Sequence, residues 1–171
     1  MDYTMVILRL LHIISGVFWA GASFMMAGFV EPVVRASGAD GAKFIQALIQ
    51  RTRFSTTMAV AAAVTVICGV LLYFKDSGGL QSEWILTARG MALTIGALAG
   101  IAAMFIGGAL TGRVSSRMAA LGREMQAAGG PPKPAQIAEM QSLQQRLTQV
   151  GRWGAILLLI TVAGMAASRY V

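Results

Sequence analysis

His12 is the only histidine in the chain, and it follows Arg9 by about one helical turn, near the start of an apolar run from Leu10 to Val30. An imidazole can ligate a metal ion or move a proton, and a guanidinium can hold a carboxylate or phosphate. Ionisable groups inside an apolar span cost several kcal/mol unless a cavity, a partner or a cofactor satisfies them, which makes the pair a functional candidate. Met5, Arg9, His12, Ser15, Gly16, Trp19, Ser23 and Met26 recur mostly at three- or four-residue steps. Most polar and small side chains of the segment therefore share one helix face, expected to point inward.

The elements that must position these residues follow from composition. Of 171 residues, 56% are hydrophobic and 12% charged, with a mean hydropathy of +0.67. That is too much apolar surface for a soluble domain of this length, and it predicts a single all-α integral membrane domain over 1–171. Crossing ~30 Å of hydrocarbon takes about 20 apolar residues. The stretches 5–34, 55–74, 85–112 and 150–170 meet that length, so a four-helix membrane bundle is expected.

The net charge of +7 is distributed by topology rather than gathered into a nucleic-acid site. Arg35, Lys43, Arg51 and Arg53 lie in one connection; Arg113, Arg117, Arg123, Lys133 and Arg146 lie in another, with Arg152 just behind. The remaining connection has Lys75, and the C-terminal end has Arg169. The positive-inside rule then puts both termini outside and both basic connections in the cytoplasm of a bacterial inner membrane. The first span lacks the basic start and short apolar core of a signal peptide and is expected to be retained. Cys68, the sole cysteine, allows no intramolecular disulfide and reads as core packing.

Between spans, Ala36 to Gly41 reads as a turn, and Phe44, Ile45, Leu48 and Ile49 give Ala42 to Arg53 an amphipathic helical pattern. The third span is expected to run on toward Met125 until Gly129, Gly130, Pro131 and Pro132 stop it. From Pro134 to Gln149 an amphipathic helix with Ile137, Met140, Leu143 and Leu147 feeds the fourth span. These two helical extensions on the cytoplasmic side either pack on the chain itself or dock a partner. Gly96 with Gly100, Gly108 with Gly112, and Gly16 with Ala20 and Ser23 are places where helices can approach closely, within one chain or in a homo-oligomer.

Antiparallel spans place Arg9, His12, Arg89 and Met165 at a common depth near the outer face. Glu31 is the one carboxylate inside a span, at the far end. Two arginines and an imidazole without an intramembrane counter-ion point to a bound anion, and haem b satisfies the inventory. His12 would ligate iron, Arg9 and Arg89 would hold propionates, and Trp19, Ser15 and Met165 would line or complete the site. A quinone or an anionic lipid headgroup meets part of the same demand. Alternatively, the arginines snorkel to membrane lipids, His12 bonds a neighbouring helix, and Asp76 or Glu83 curls back to neutralise an arginine.

The segment LHIISGVFWAG at Leu11 to Gly21 resembles the first helix of the HemJ-type membrane protoporphyrinogen oxidases, and is similar to copper-resistance-D-like proteins and to a four-helix domain family of unknown function. Thr56 to Tyr73 and WILTARG at Trp84 to Gly90 resemble the second helix and the start of the third, so the likeness covers about the first two-thirds of the chain. The resemblance implies a haem-associated site at His12 and Arg89. The chain departs from that pattern in having no second histidine. Iron would then be held by His12 with an open position, by His12 with Met165 or Met91, or by two His12 residues across a symmetric oligomer.

The expected function is electron transfer or a redox step, as a small cytochrome with a redox partner protein or quinone, or as a protoporphyrinogen-oxidase-like enzyme. The competing expectation is a cofactor-free structural subunit. No phosphate-binding loop or intramembrane carboxylate pair suggests other catalysis, and Ser15 reads as a packing hydroxyl.

Overall fold

The computed structural model describes residues 2–171, and among them every regular element is helical. α1 (Tyr3–Met25) starts on Asp2, whose carboxylate accepts from the Thr4 and Met5 amides at 3.1 and 3.3 Å. Such a cap satisfies amides that have no carbonyl partner in the first helical turn. A π-helical turn, Met26–Val30, joins α1 to α2 (Glu31–Ala36), and α3 (Gly38–Arg51) follows after Ser37 alone. The expected turn at Ala36 to Gly41 is thus compressed, with Gly38 at φ 54° supplying the reversal.

α4 (Phe54–Asp76) is the second long apolar helix. The short α5 (Ser82–Ile85) precedes α6 (Ala88–Phe105), capped by Thr87, whose hydroxyl accepts from the Gly90 amide at 3.0 Å. The third span therefore starts at Ala88 rather than at Ile85, because the chain breaks between α5 and α6. A second π-helical turn, Ile106–Leu110, leads into α7 (Thr111–Ala127). α8 (Pro134–Ala167) is one unbroken helix of 34 residues, merging the predicted extension with the fourth span and ending before the expected Tyr170. Four helical stretches, Tyr3–Ala36, Phe54–Asp76, Ala88–Ala127 and Pro134–Ala167, are long and apolar enough to cross a membrane.

α1 packs on α4, α4 on α6, α6 on α8 and α8 back on α1. Small residues make this close approach possible, and the buried core is Trp19, Ala61, Ala62, Ala103 and Leu158, with Cys68 also buried. Ile7, Ile14, Val17, Ile67, Leu98 and Leu159 instead face outward over half exposed, an apolar exterior suited to lipid. α1 and α6 share a register. Arg9 and Arg89, Gly16 and Gly96, Gly28 and Gly108, and the two π-helical turns all keep one spacing along the chain.

Beyond the spans, α7 and the first half of α8 pack on each other through Leu121 (1% exposed) and Leu143 (9% exposed). Arg117 donates to Glu139 at 2.7 Å and to Glu124 at 3.2 Å across and along that pair. The extension is therefore covered by the chain's own helix on this face. Ile137 remains outside the contact, 44% exposed.

Candidate functional site

α1, α4 and α8 bring three groups together. His12, half-buried on α1, places Nδ1 2.8 Å from the Thr65 carbonyl of α4 and Nε2 3.4 Å from the Met165 sulfur of α8. A carbonyl only accepts, so Nδ1 carries the proton and donates to Thr65. In the neutral ring Nε2 is then a bare lone pair facing another electron-pair donor, the thioether. That is the arrangement metal-ligating histidines adopt, with the distal ring nitrogen tied to a backbone carbonyl and the other free.

The ring fits because α4 is glycine at position 69. A Cβ there would stand 2.8 Å from His12 Cε1 and 3.1 Å from Nδ1, closer than side chains tolerate. Thr65, one turn earlier, is buried, with Oγ1 2.7 Å from the Ala61 carbonyl and 2.8 Å from Ser15 Oγ. Ser15 in turn donates to the Leu11 carbonyl at 2.5 Å. Ser15 thus braces the helix contact, as a packing hydroxyl would. Gly16 lies against Thr65 and Ala20 is buried, so this small face of α1 is occupied within the chain.

One turn above His12, the charge inventory differs from the expectation of unneutralised arginines. Asp76, at the end of α4, lies 3.7 Å from Arg9 and 3.8 Å from Arg89, one carboxylate oxygen toward each. Asp76, an expected partner for one arginine, contacts both, because their shared register in α1 and α6 brings them to either side of α4. Both arginines are over half exposed and Asp76 is 26% exposed, so these are loose, solvent-screened pairs. Lys75 pairs with Asp2 at 3.3 Å beside them. The Met5 amide and Lys75 hold the Asp2 carboxyl below its ordinary value.

The other nominated residues separate. Trp19 lies two turns deeper, in the core with Ala61, Ala62, Ala103 and Leu158, away from the His12 nitrogen. Met91 is 47% exposed and is not the methionine that meets His12. Thr65 and Gly69 went unrecognised in the sequence. The signal was available, since Thr65, Gly69 and Asp76 lie on one face of α4 at helical spacing. At the far end, Glu31 accepts from Thr148 at 3.0 Å and pairs with Arg35 and, at 3.9 Å, with Arg152, joining α2 to α8.

Haem can be tested against this geometry. Imidazole and thioether are suitable iron ligands. On opposite faces of one metal, however, bonds of ~2.0 and ~2.3 Å would set nitrogen and sulfur about 4.3 Å apart. The observed separation is 3.4 Å. The imidazole is also pressed on the α4 backbone at Gly69, and the grooves of about 390 and 450 Å³ are lined by other residues. The donors suit haem iron; their spacing leaves no room for a porphyrin between them. Among the described residues no group of three or more His, Cys, Asp or Glu could hold a metal ion. No family model, no curated protein and no solved structure matches this chain.

Proposed function

We propose that the protein is a multi-pass protein of a bacterial inner membrane that holds a metal centre of redox type near the outer face, with His12 as principal ligand and Met165 beside it. One observation carries this: Nδ1 of His12 is committed to the Thr65 carbonyl, so that in the neutral ring the lone pair of Nε2 lies 3.4 Å from a soft sulfur. A b-type haem in electron transfer was the expectation from the sequence. It is supported by the donor types and opposed by their spacing.

The experiment is metal analysis and an optical spectrum of the detergent-purified full chain after expression with iron and copper supplied. The unmodified protein retains a bound metal or haem, and His12→Ala loses it while eluting at the same volume. A protein that takes up neither, or binding indifferent to His12→Ala, sinks the proposal. Complementation of a haem-synthesis mutant would single out the oxidase-like enzyme.

A second reading, a cofactor-free structural subunit in contact with membrane lipids, is favoured by a different observation. Asp76 contacts both arginines, and each arginine is over half exposed, so water can solvate the single positive charge left over without a foreign anion. Under it the purified protein is colourless and metal-free.

A further inference from the structure

Between the first π-helical turn and α8 lies a groove of about 390 Å³, away from His12. Phe24, Ala27 and Gly28 form one wall; Arg152, Ile156 and Leu159, at four- and three-residue steps along α8, form the other. That stripe rises about 10 Å along the helix axis, so the groove runs lengthwise over the apolar exterior. Gly28 has nothing within 4 Å of where a Cβ would stand, and Ile156 and Leu159 are 46% and 60% exposed. The cleft is open to whatever surrounds the span.

One end of it is charged. Arg152 stands there 60% exposed; among the described residues it makes no hydrogen bond, and its ion-pair contact is with Glu31 at 3.9 Å. Its N–H donors are almost wholly uncommitted. The same Glu31 carboxylate also holds Arg35, so two guanidiniums share one negative charge and a positive charge is left over at the rim. Trp153, the next residue, is 61% exposed, as indoles at the headgroup level of a bilayer are. No imidazole, thiol, thioether or carboxylate lines the groove, so it offers a metal ion no ligand.

We infer that this groove binds one anionic phospholipid of the leaflet at the Glu31 end, with an acyl chain between Gly28 and Ile156 and the phosphate on Arg152. Shape and charge together choose this occupant. A helix of another protein would cover the apolar walls and leave the Arg152 charge unanswered, whereas a free phosphate would answer the charge and leave the walls bare. A zwitterionic lipid brings a second cation to a rim that already has one too many. An anionic lipid meets both demands, and basic pockets between membrane helices are where such headgroups are held. Arg152 lies about 20 Å along α8 from Met165, so this site does not depend on the proposed metal centre.

The test is native mass spectrometry of the detergent-purified, delipidated full chain, titrated with phosphatidylglycerol and, separately, with phosphatidylcholine of the same acyl chains. One phosphatidylglycerol per chain is expected, preferred over phosphatidylcholine by about fivefold, the worth of one basic residue at an anionic surface. This comparison on the unmodified chain needs no variant to fold. Arg152→Gln should erase the preference. Gly28→Leu should fill the cleft and weaken both lipids at least about tenfold, the cost of withdrawing about two methylenes from it. Gly107→Leu, on the second π-helical turn, in equally open surroundings and outside the groove, should leave both unchanged. Equal binding of the two lipids to the unmodified chain, or unchanged binding in a folded Gly28→Leu, overturns the inference. So does a loss in Gly107→Leu as large as that in Gly28→Leu. A Gly28→Leu that alters the oligomer mass yet keeps its lipid overturns it too, by making the groove a contact between copies. Because the readout is lipid, a chain that binds no metal loses the proposed metal centre alone.

Discussion

Along the long apolar helices, the end around His12 and the end toward Glu31 use glycine in opposite ways. Around His12, Gly16, Gly69, Gly96, Gly100 and Gly164 each stand where a Cβ would touch a neighbouring helix within 3.3 Å. Toward the Glu31 end, Gly28, Gly107, Gly108, Gly112, Gly151 and Gly154 have nothing within 4 Å. The first set draws helices together until backbone, imidazole and thioether meet. The second set accompanies the two π-helical turns and a groove of about 390 Å³ lined by Phe24, Gly28, Arg152 and Ile156. Equal GxxxG spacing at Gly96 with Gly100 and at Gly108 with Gly112 thus has unequal consequences: only the former is a helix contact within the chain, against Thr161. A small-residue motif marks permission for close approach, and the partner's position decides whether it is used.

The contrast predicts opposite signs for the same substitution. Gly164→Ala places a methyl 2.9 Å from the Ala92 carbonyl oxygen and 3.3 Å from the Gly96 backbone, where nothing flexible can yield. It should cost about 1–3 kcal/mol, the range of overpacking in a tight core. Gly108→Ala meets open space and should stabilise by up to ~1 kcal/mol through helix propensity. Denaturant midpoints in detergent, followed by circular dichroism, measure both. Equal effects at the two positions would erase the distinction between the ends.

Smaller effects come from the charges at the His12 end. Asp76→Asn removes both arginine pairs, but side chains this exposed contribute only about 0.2–1 kcal/mol each. The expected loss is about 2 kcal/mol at most, diminishing as salt is raised, and unfolding at low and high ionic strength checks it. A loss of several kcal/mol would mean these pairs are far better shielded than their exposure indicates.

The smallest effect is that of Asp2. Its carboxyl is held below the ordinary value by the Met5 amide and Lys75, so its ionised form favours the folded state. The stability it adds is present above the unfolded value of about 4 and fades as pH falls through the lower folded value. Asp2→Ala should lower stability slightly at neutral pH, where the ionised carboxyl contributes, and leave it unchanged well below the folded value, so that the acid limb flattens. An unaltered acid limb would show that this cap does not couple to folding.

The helical class, the four apolar stretches and their approximate limits were legible because mean hydropathy and the 3.6-residue period act locally along the chain. His12, Arg9, Arg89 and Met165 could be nominated as groups at one depth for the same reason: rise per residue converts sequence position into height. Height does not give azimuth. That Met165 rather than Met91 meets the imidazole, that Trp19 turns into the core, and that Asp76 stands between two arginines depend on how each helix rotates about its axis. Rotation is set by the sum of small-residue contacts between helices distant in sequence, such as Gly69 on His12 and Gly164 on Gly96. The residue types therefore specified which donors exist and how deep they lie. Only the packing of α1 against α4 and α8 fixed the 3.4 Å between nitrogen and sulfur.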